Sequence, residues 1–135
     1  IQPAANTVAL FRRARELGVE HVQADEIGRD RLDEVRGLLG GFARRVDSVM
    51  VTVDADVVSS AFAPGVSAPQ PLGLDPETVV TLLKSLLATG GVVSLDIAEV
   101  SPPLDTDHKT ARIAALVAHA VVDTLTPGGE KILEG

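Results

Sequence analysis

Acidic side chains gather at three places where a short apolar run gives out: Asp25-Glu26, Asp54 with Asp56, and Asp96 with Glu99. The pair Asp54 and Asp56 is the most pointed. It follows Val49-Met50-Val51-Thr52-Val53, a β-branched strand candidate. Side chains two apart in extended backbone project to the same side, so both carboxylates are expected to face one point at the strand tip. Carboxylates crowded in this way repel unless a cation or protons intervene. Oxygen-only donors suit a hard or borderline divalent ion such as Mg²⁺ or Mn²⁺. The alternative for any Asp-x-Asp after a strand is that the acids cap turns or solvate a sheet edge.

The segment from Val57 to Leu74 follows this pair and carries Pro64, Pro69, Pro71, Gly65 and Gly73. Irregular connections of that length are usually functional, and the prolines argue for a stiff one; a packed Ω-like loop without a site is the alternative. The histidines do not complete a site. His119 is expected on the polar face of the last helix, paired with Asp123 one turn on. His108 follows Asp105 and Asp107 at a helix start, where acids serve as caps. His21 falls in a strand candidate as packing. Asp96 is expected to hydrogen-bond nearby backbone. With no cysteine, disulfides, zinc-thiolate sites and cysteine nucleophiles are excluded.

Hydrophobic periodicity supplies the elements that must position these residues. Asn6 or Thr7 can cap a helix to about Leu17, with Gly18 as its stop. His21–Ala24 reads as a short strand. Arg29 to about Ala43 is helical by Leu32, Val35, Leu38, Leu39 and Phe42, although Gly37, Gly40 and Gly41 weaken its second half. Val49–Val53 reads as a strand buried on both faces, as in a parallel sheet. Asp75-Pro76 opens a helix ended by Gly90-Gly91. Val92–Val100 is a second buried strand, stopped by Pro102-Pro103. A last helix runs from about Asp107 to Leu125 and closes at Pro127-Gly128-Gly129. The alternation predicts an α/β fold, a parallel sheet with flanking helices and right-handed crossovers.

The chain has 135 residues, 45% hydrophobic and 23% charged, which fits one globular domain and excludes wholesale disorder. A net charge of −7 argues against nucleic acid or an anionic membrane as partner. No apolar stretch approaches a membrane span, no leader is evident, and no glycine-rich phosphate loop follows a strand. A cytoplasmic location is the expectation. The first residues, Ile1-Gln2-Pro3, carry no initiator methionine and read as the interior of something larger.

Two motifs together resemble the ureohydrolase family of arginases, agmatinases and formimidoylglutamases. One is Thr52-Val53-Asp54-Ala55-Asp56 with Ala63-Pro64-Gly65 and Gly73. The other is Ser94-Leu95-Asp96-Ile97-Ala98-Glu99-Val100-Ser101-Pro102-Pro103, followed by Thr110-Ala111-Arg112 at the last helix. Ala55 replaces a larger aliphatic, and Ser59-Ser60 stands where many members have Asp-Pro; neither removes a ligand. Val66-Ser67-Ala68-Pro69, in place of the Thr-Gly-Thr-Pro of arginases and agmatinases, is most similar to the formimidoylglutamase branch. So is the opening segment with Asn6-Thr7 and Ala14–Val19.

The resemblance implies an arginase-like three-layer α/β/α fold and a hydrolase of linear amidines with two Mn²⁺ ions. Asp54 would bridge the ions, Asp56 would bind one of them, and Glu99 would pair with the cationic nitrogen of the substrate. The implied reaction is N-formimidoyl-L-glutamate plus water giving L-glutamate and formamide, in histidine degradation. A guanidino hydrolase of the agmatinase or arginase type stands beside it. The family's other metal ligands lie in a Gly-Gly-Asp/Glu-His and an Asp-Ala-His-x-Asp segment, absent from these 135 residues. Residues 1–135 are therefore expected to be the C-terminal part of a single such domain, inactive alone and homo-oligomeric in the complete enzyme. A small α/β module binding one divalent ion, without catalysis, is the non-enzymatic alternative.

Overall fold

The computed structural model describes residues 5–27 and 31–126. The expectations at Ile1-Gln2-Pro3, at Arg29 and at Pro127-Gly128-Gly129 lie outside the described residues. Helix α1 spans Val8–Glu16, α2 Leu32–Ala43, strand β1 Val49–Asp54, α3 Pro76–Leu87, β2 Val92–Ala98 and α4 Lys109–Leu125.

Caps chosen from the sequence set two helix starts. Thr7 Oγ1 accepts the Leu10 amide ahead of α1, and Gly18 follows at φ 68°, a left-handed conformation that costs glycine little. Asp75 takes the Thr78 amide on one oxygen at 2.8 Å and the Thr78 hydroxyl on the other at 2.7 Å, with Pro76 in the first turn of α3. α2 runs unbroken through its three glycines. Its Ala43 is buried with Val49 and Leu86, with Leu39 packed alongside, and that burial outweighs a glycine cost of roughly 1 kcal/mol each.

β1 and β2 pair in parallel, with Thr52 opposite Asp96 and Asp54 opposite Ala98, after a register shift at Val49/Met50. Val51, Val53, Leu95 and Ile97 pack on Leu83 and Leu87 of α3 and Val117 of α4. The expectation of strands buried on both faces is corrected. Met50 is 77% and Val93 67% exposed, because α2, α3 and α4 all contribute to the cores on one face and none of the described residues covers the other. The strand expected at His21–Ala24 does not form either. Residues Ala24–Glu26 make a single 3₁₀ turn, and the Glu26 carboxylate accepts the Gln23 amide at 3.0 Å. This local closure takes up the end of the run that was expected to be extended.

α4 begins two residues later than expected, and its cap comes from farther back. His108 occupies the N-cap position at φ 58° with no side-chain cap bond. The buried Asp105 instead accepts the Thr110 amide at 3.1 Å and the Ala111 amide at 2.9 Å. Burial pushes this carboxyl up, but the Ala111 and Thr110 amides and the Thr110 hydroxyl together hold it below its ordinary 3.8. A carboxyl lowered in the fold stabilises above its unfolded value and loses that contribution as pH falls through its folded value. The melting temperature is therefore expected to hold steady down to about pH 5 and to fall below pH 3.8, with a smaller acid dependence in Asp105→Asn. Equal acid sensitivity of the two proteins in thermal melts would remove Asp105 from the account.

No helix among the described residues is long and apolar enough to cross a membrane.

Candidate metal and substrate site

β1 delivers Asp54 to the end of the sheet, on the side-chain row of Thr52 and away from the helices. The backbone does not stay extended beyond it. Ala55–Val57 closes a 3₁₀ turn, anchored by the buried Ala55. Asp54 and Asp56 thus meet by a turn and not by strand alternation, which corrects the geometry expected from sequence. Both line one pocket of about 390 Å³ with Asn6, Ala24, Val57, Ala68 and Gln70.

Electrostatics places the third acid near the first two. The Asp56 carboxyl is raised above its ordinary value, first by burial and then by the charges of Asp54 and Glu99. No basic side chain is among the groups that act on it. Glu99 stands one residue past β2 at φ 64°, in the left-handed region, and this reversal ends the strand two residues before the expected Val100. Its Oε2 accepts a hydrogen bond from Ser67 Oγ at 3.2 Å.

The long segment after Asp56 is a packed, hydrogen-bonded unit. Val57 and Leu74 bracket it: the Leu74 amide donates to the Val57 carbonyl at 2.8 Å, and the Ser59 amide to the Leu74 carbonyl at 2.8 Å. Ser59 Oγ donates to the Pro71 carbonyl at 3.0 Å, so one of the two serines that depart from the family pattern holds the loop together. Gly73 is required by close approach, since a Cβ there would lie 2.6 Å from the Val58 carbonyl carbon. At the far side Val58, Ala63 and Val66 are buried. The Gly65 amide donates to Thr110 Oγ1 at 2.7 Å, and the Gly65 carbonyl accepts from the Ser101 amide at 2.8 Å. These bonds fasten the loop to the segment after Glu99 and to the start of α4.

Ser67 and Thr110 escape a reading of the sequence as individual residues. Their only signal is membership of the two motifs, and a hydroxyl's partner is set by the fold. Asp96 accepts from Thr52 Oγ1 across the strands at 3.3 Å, and not from backbone as expected. His21 packs against Phe11 with the rings tilted by 55° and their centroids 5.5 Å apart. His119 is exposed on α4, but Asp123 pairs with Lys84 of α3 at 3.6 Å, which corrects the expected His119–Asp123 pair. Among the described residues no group of three His, Cys, Asp or Glu side chains converges to hold a metal.

The residues present fit one part of a divalent-metal site. The partly buried Asp56 carboxylate is opposed by the charge of the neighbouring Asp54, and a cation is the ligand that relieves such a pair. Two oxygen donors do not close a coordination shell.

The sequence matches the arginase family over residues 2–123. The chain belongs to the arginase family.

Arginase-family relatives named formimidoylglutamase share close to half of its residues. It is 44% identical over 124 residues to one from Legionella pneumophila strain Paris, covering 92% of this chain and 39% of that protein. It is 48% identical over 125 residues to one from Clostridium tetani, covering 93% and 37%. The crystal structure of formimidoylglutamase from Bacillus subtilis superposes with a TM-score of 0.84 at 29% identity, covering 95% of this chain and 41% of that one. The chain thus spans about two fifths of the length of the relatives it matches. Its parallel sheet with flanking helices is the arginase-like α/β fold expected from the motifs.

Proposed function

We propose that this chain is the C-terminal part of a manganese-dependent amidine hydrolase acting on N-formimidoyl-L-glutamate, in histidine degradation in the cytoplasm. The products are L-glutamate and formamide. The observation that carries this reading is that Asp54 and Asp56 line one open pocket, with the charge of Glu99 also acting on Asp56. Asp54 and Asp56 would hold the metal. When bound, such ions supply an activated water nucleophile and stabilise negative charge that develops on the substrate.

The chain's own residues do the rest. Glu99, in a backbone conformation that lifts its side chain off the end of β2, pairs with the cationic formimino nitrogen and orients the carbon to be attacked. The loop from Val57 to Leu74 forms a wall of the pocket through Ala68 and Gln70. The substrate is a small molecule, and the complete enzyme is a homo-oligomer on this reading.

The test is formamide release from N-formimidoyl-L-glutamate by the complete Mn²⁺-loaded enzyme, with arginine and agmatine in parallel. Preference for either guanidine would replace the substrate assignment. The isolated 135-residue chain is expected to show no measurable hydrolysis, because Asp54 and Asp56 alone leave the metal shell open. Turnover by that chain at a rate near the complete enzyme's would overturn the division of ligands.

A further inference from the structure

Two segments pass each other beside the site in opposite senses. The carbonyl of Gly65 takes the amide of Ser101 at 2.8 Å, and two residues inward on each side Ser67 Oγ donates to Glu99 Oε2 at 3.2 Å. The main-chain bond sits on buried Gly65, next to buried Val66, so Ser67 is placed by structure that does not depend on its own hydroxyl. Glu99 is the less constrained partner. It is exposed, and its backbone occupies a left-handed conformation that disfavours a residue with a Cβ.

We infer that Ser67 is a positioning residue for substrate recognition: it anchors one oxygen of the Glu99 carboxylate and leaves the other to receive the substrate's cationic nitrogen. A free glutamate side chain samples several rotamers, and fixing it before binding removes that entropy from the encounter. The effect runs through Glu99, the hydrogen-bond partner of the Ser67 hydroxyl.

The inference rests on Glu99 meeting the substrate. In the complete enzyme Ser67→Ala is expected to lower kcat/KM for N-formimidoyl-L-glutamate about tenfold, the scale of one hydrogen bond to a charged group. Ser67→Thr, which restores the hydroxyl, should recover most of it. The melting temperature of Ser67→Ala should stay unchanged because the side chain is exposed, and a crystal structure should show the Glu99 carboxylate displaced or in more than one rotamer. Wild-type kinetics in Ser67→Ala, or no recovery in Ser67→Thr, would overturn the role of Ser67 while leaving the functional reading intact. Failure of the unsubstituted enzyme on the substrate would overturn the functional reading and the role of Ser67 together.

Discussion

Asp54→Asn in the complete enzyme is expected to lower kcat by roughly 10²–10³-fold or more, the scale seen when a pre-organised electrostatic group is lost from an active site. The swap keeps volume and shape and removes one negative charge from the tip of β1. Since Glu99 and the loop walls are untouched, KM should change much less than kcat. Asp56→Asn should be comparably damaging to activity, with an opposite effect on the isolated, metal-free chain. There the Asp56 carboxyl is held above its ordinary value by burial and by Asp54 and Glu99, so its ionised form opposes folding at neutral pH. Neutralising it is expected to stabilise that chain by on the order of a few tenths of a kcal/mol, a small figure because the group is largely solvated and screened. Paired thermal melts and single-turnover assays check both halves. An Asp56→Asn chain that melts earlier than the parent, or an enzyme that keeps wild-type turnover, would contradict the account of the acidic cluster.

Gly65→Ala is the second large effect, expected to destabilise the protein by about 1–3 kcal/mol through overpacking. An added Cβ would lie 2.7 Å from Asp105 Cα and closer still to Asp105 Cβ. Neither atom is the yielding end of a side chain. Asp105 is held by its two bonds to the α4 amides, and Gly65 by its bonds to Thr110 and Ser101. The strain therefore has to part the loop from α4. Because the same loop carries Ser67 to Glu99, activity of the complete enzyme should fall with stability. Gly37→Ala provides the contrast: nothing lies within 4 Å of an added Cβ there, and the helical position should gain roughly 1 kcal/mol. Urea denaturation of both variants decides the matter, and a Gly65→Ala protein as stable as its parent would remove the packing argument.

Much of this architecture is legible in the chain itself. Thr7 and Asp75-Pro76 announce their helices because capping is a local bond between a side chain and an amide two or three residues away. Val49–Val53 and the run after Gly91 announce strands because their side chains suit a packed parallel pair. His21–Ala24 misleads for the complementary reason. A strand is completed by a neighbour, and four suggestive residues cannot show whether one is paired beside them. Met50 and Val93 look like core by type, yet only the arrangement of helices decides which face of a sheet is covered.

The same division runs through the site. Asp54, Asp56 and Glu99 stand out by residue type and motif, since carboxylates at strand ends are where cationic ligands can be met and the spacing is short-range information. How they meet is a tertiary matter: a 3₁₀ turn aims Asp56, a left-handed residue aims Glu99, and their mutual field appears only when segments more than 40 positions apart in the chain come together. Asp105, Thr110, Gly65 and Ser67 gain their roles in the same way. A hydroxyl, a carboxylate and a glycine carry no address of their own, and the fold supplies it by bringing the Pro64–Pro69 loop onto the start of α4. Sequence by itself determined which acids are present and that they fall at strand ends, because those are local properties of residues and their neighbours. The tertiary structure alone decided which of their charges act on one another and what holds them there, because hydrogen bonding and charge act across space and not along the chain.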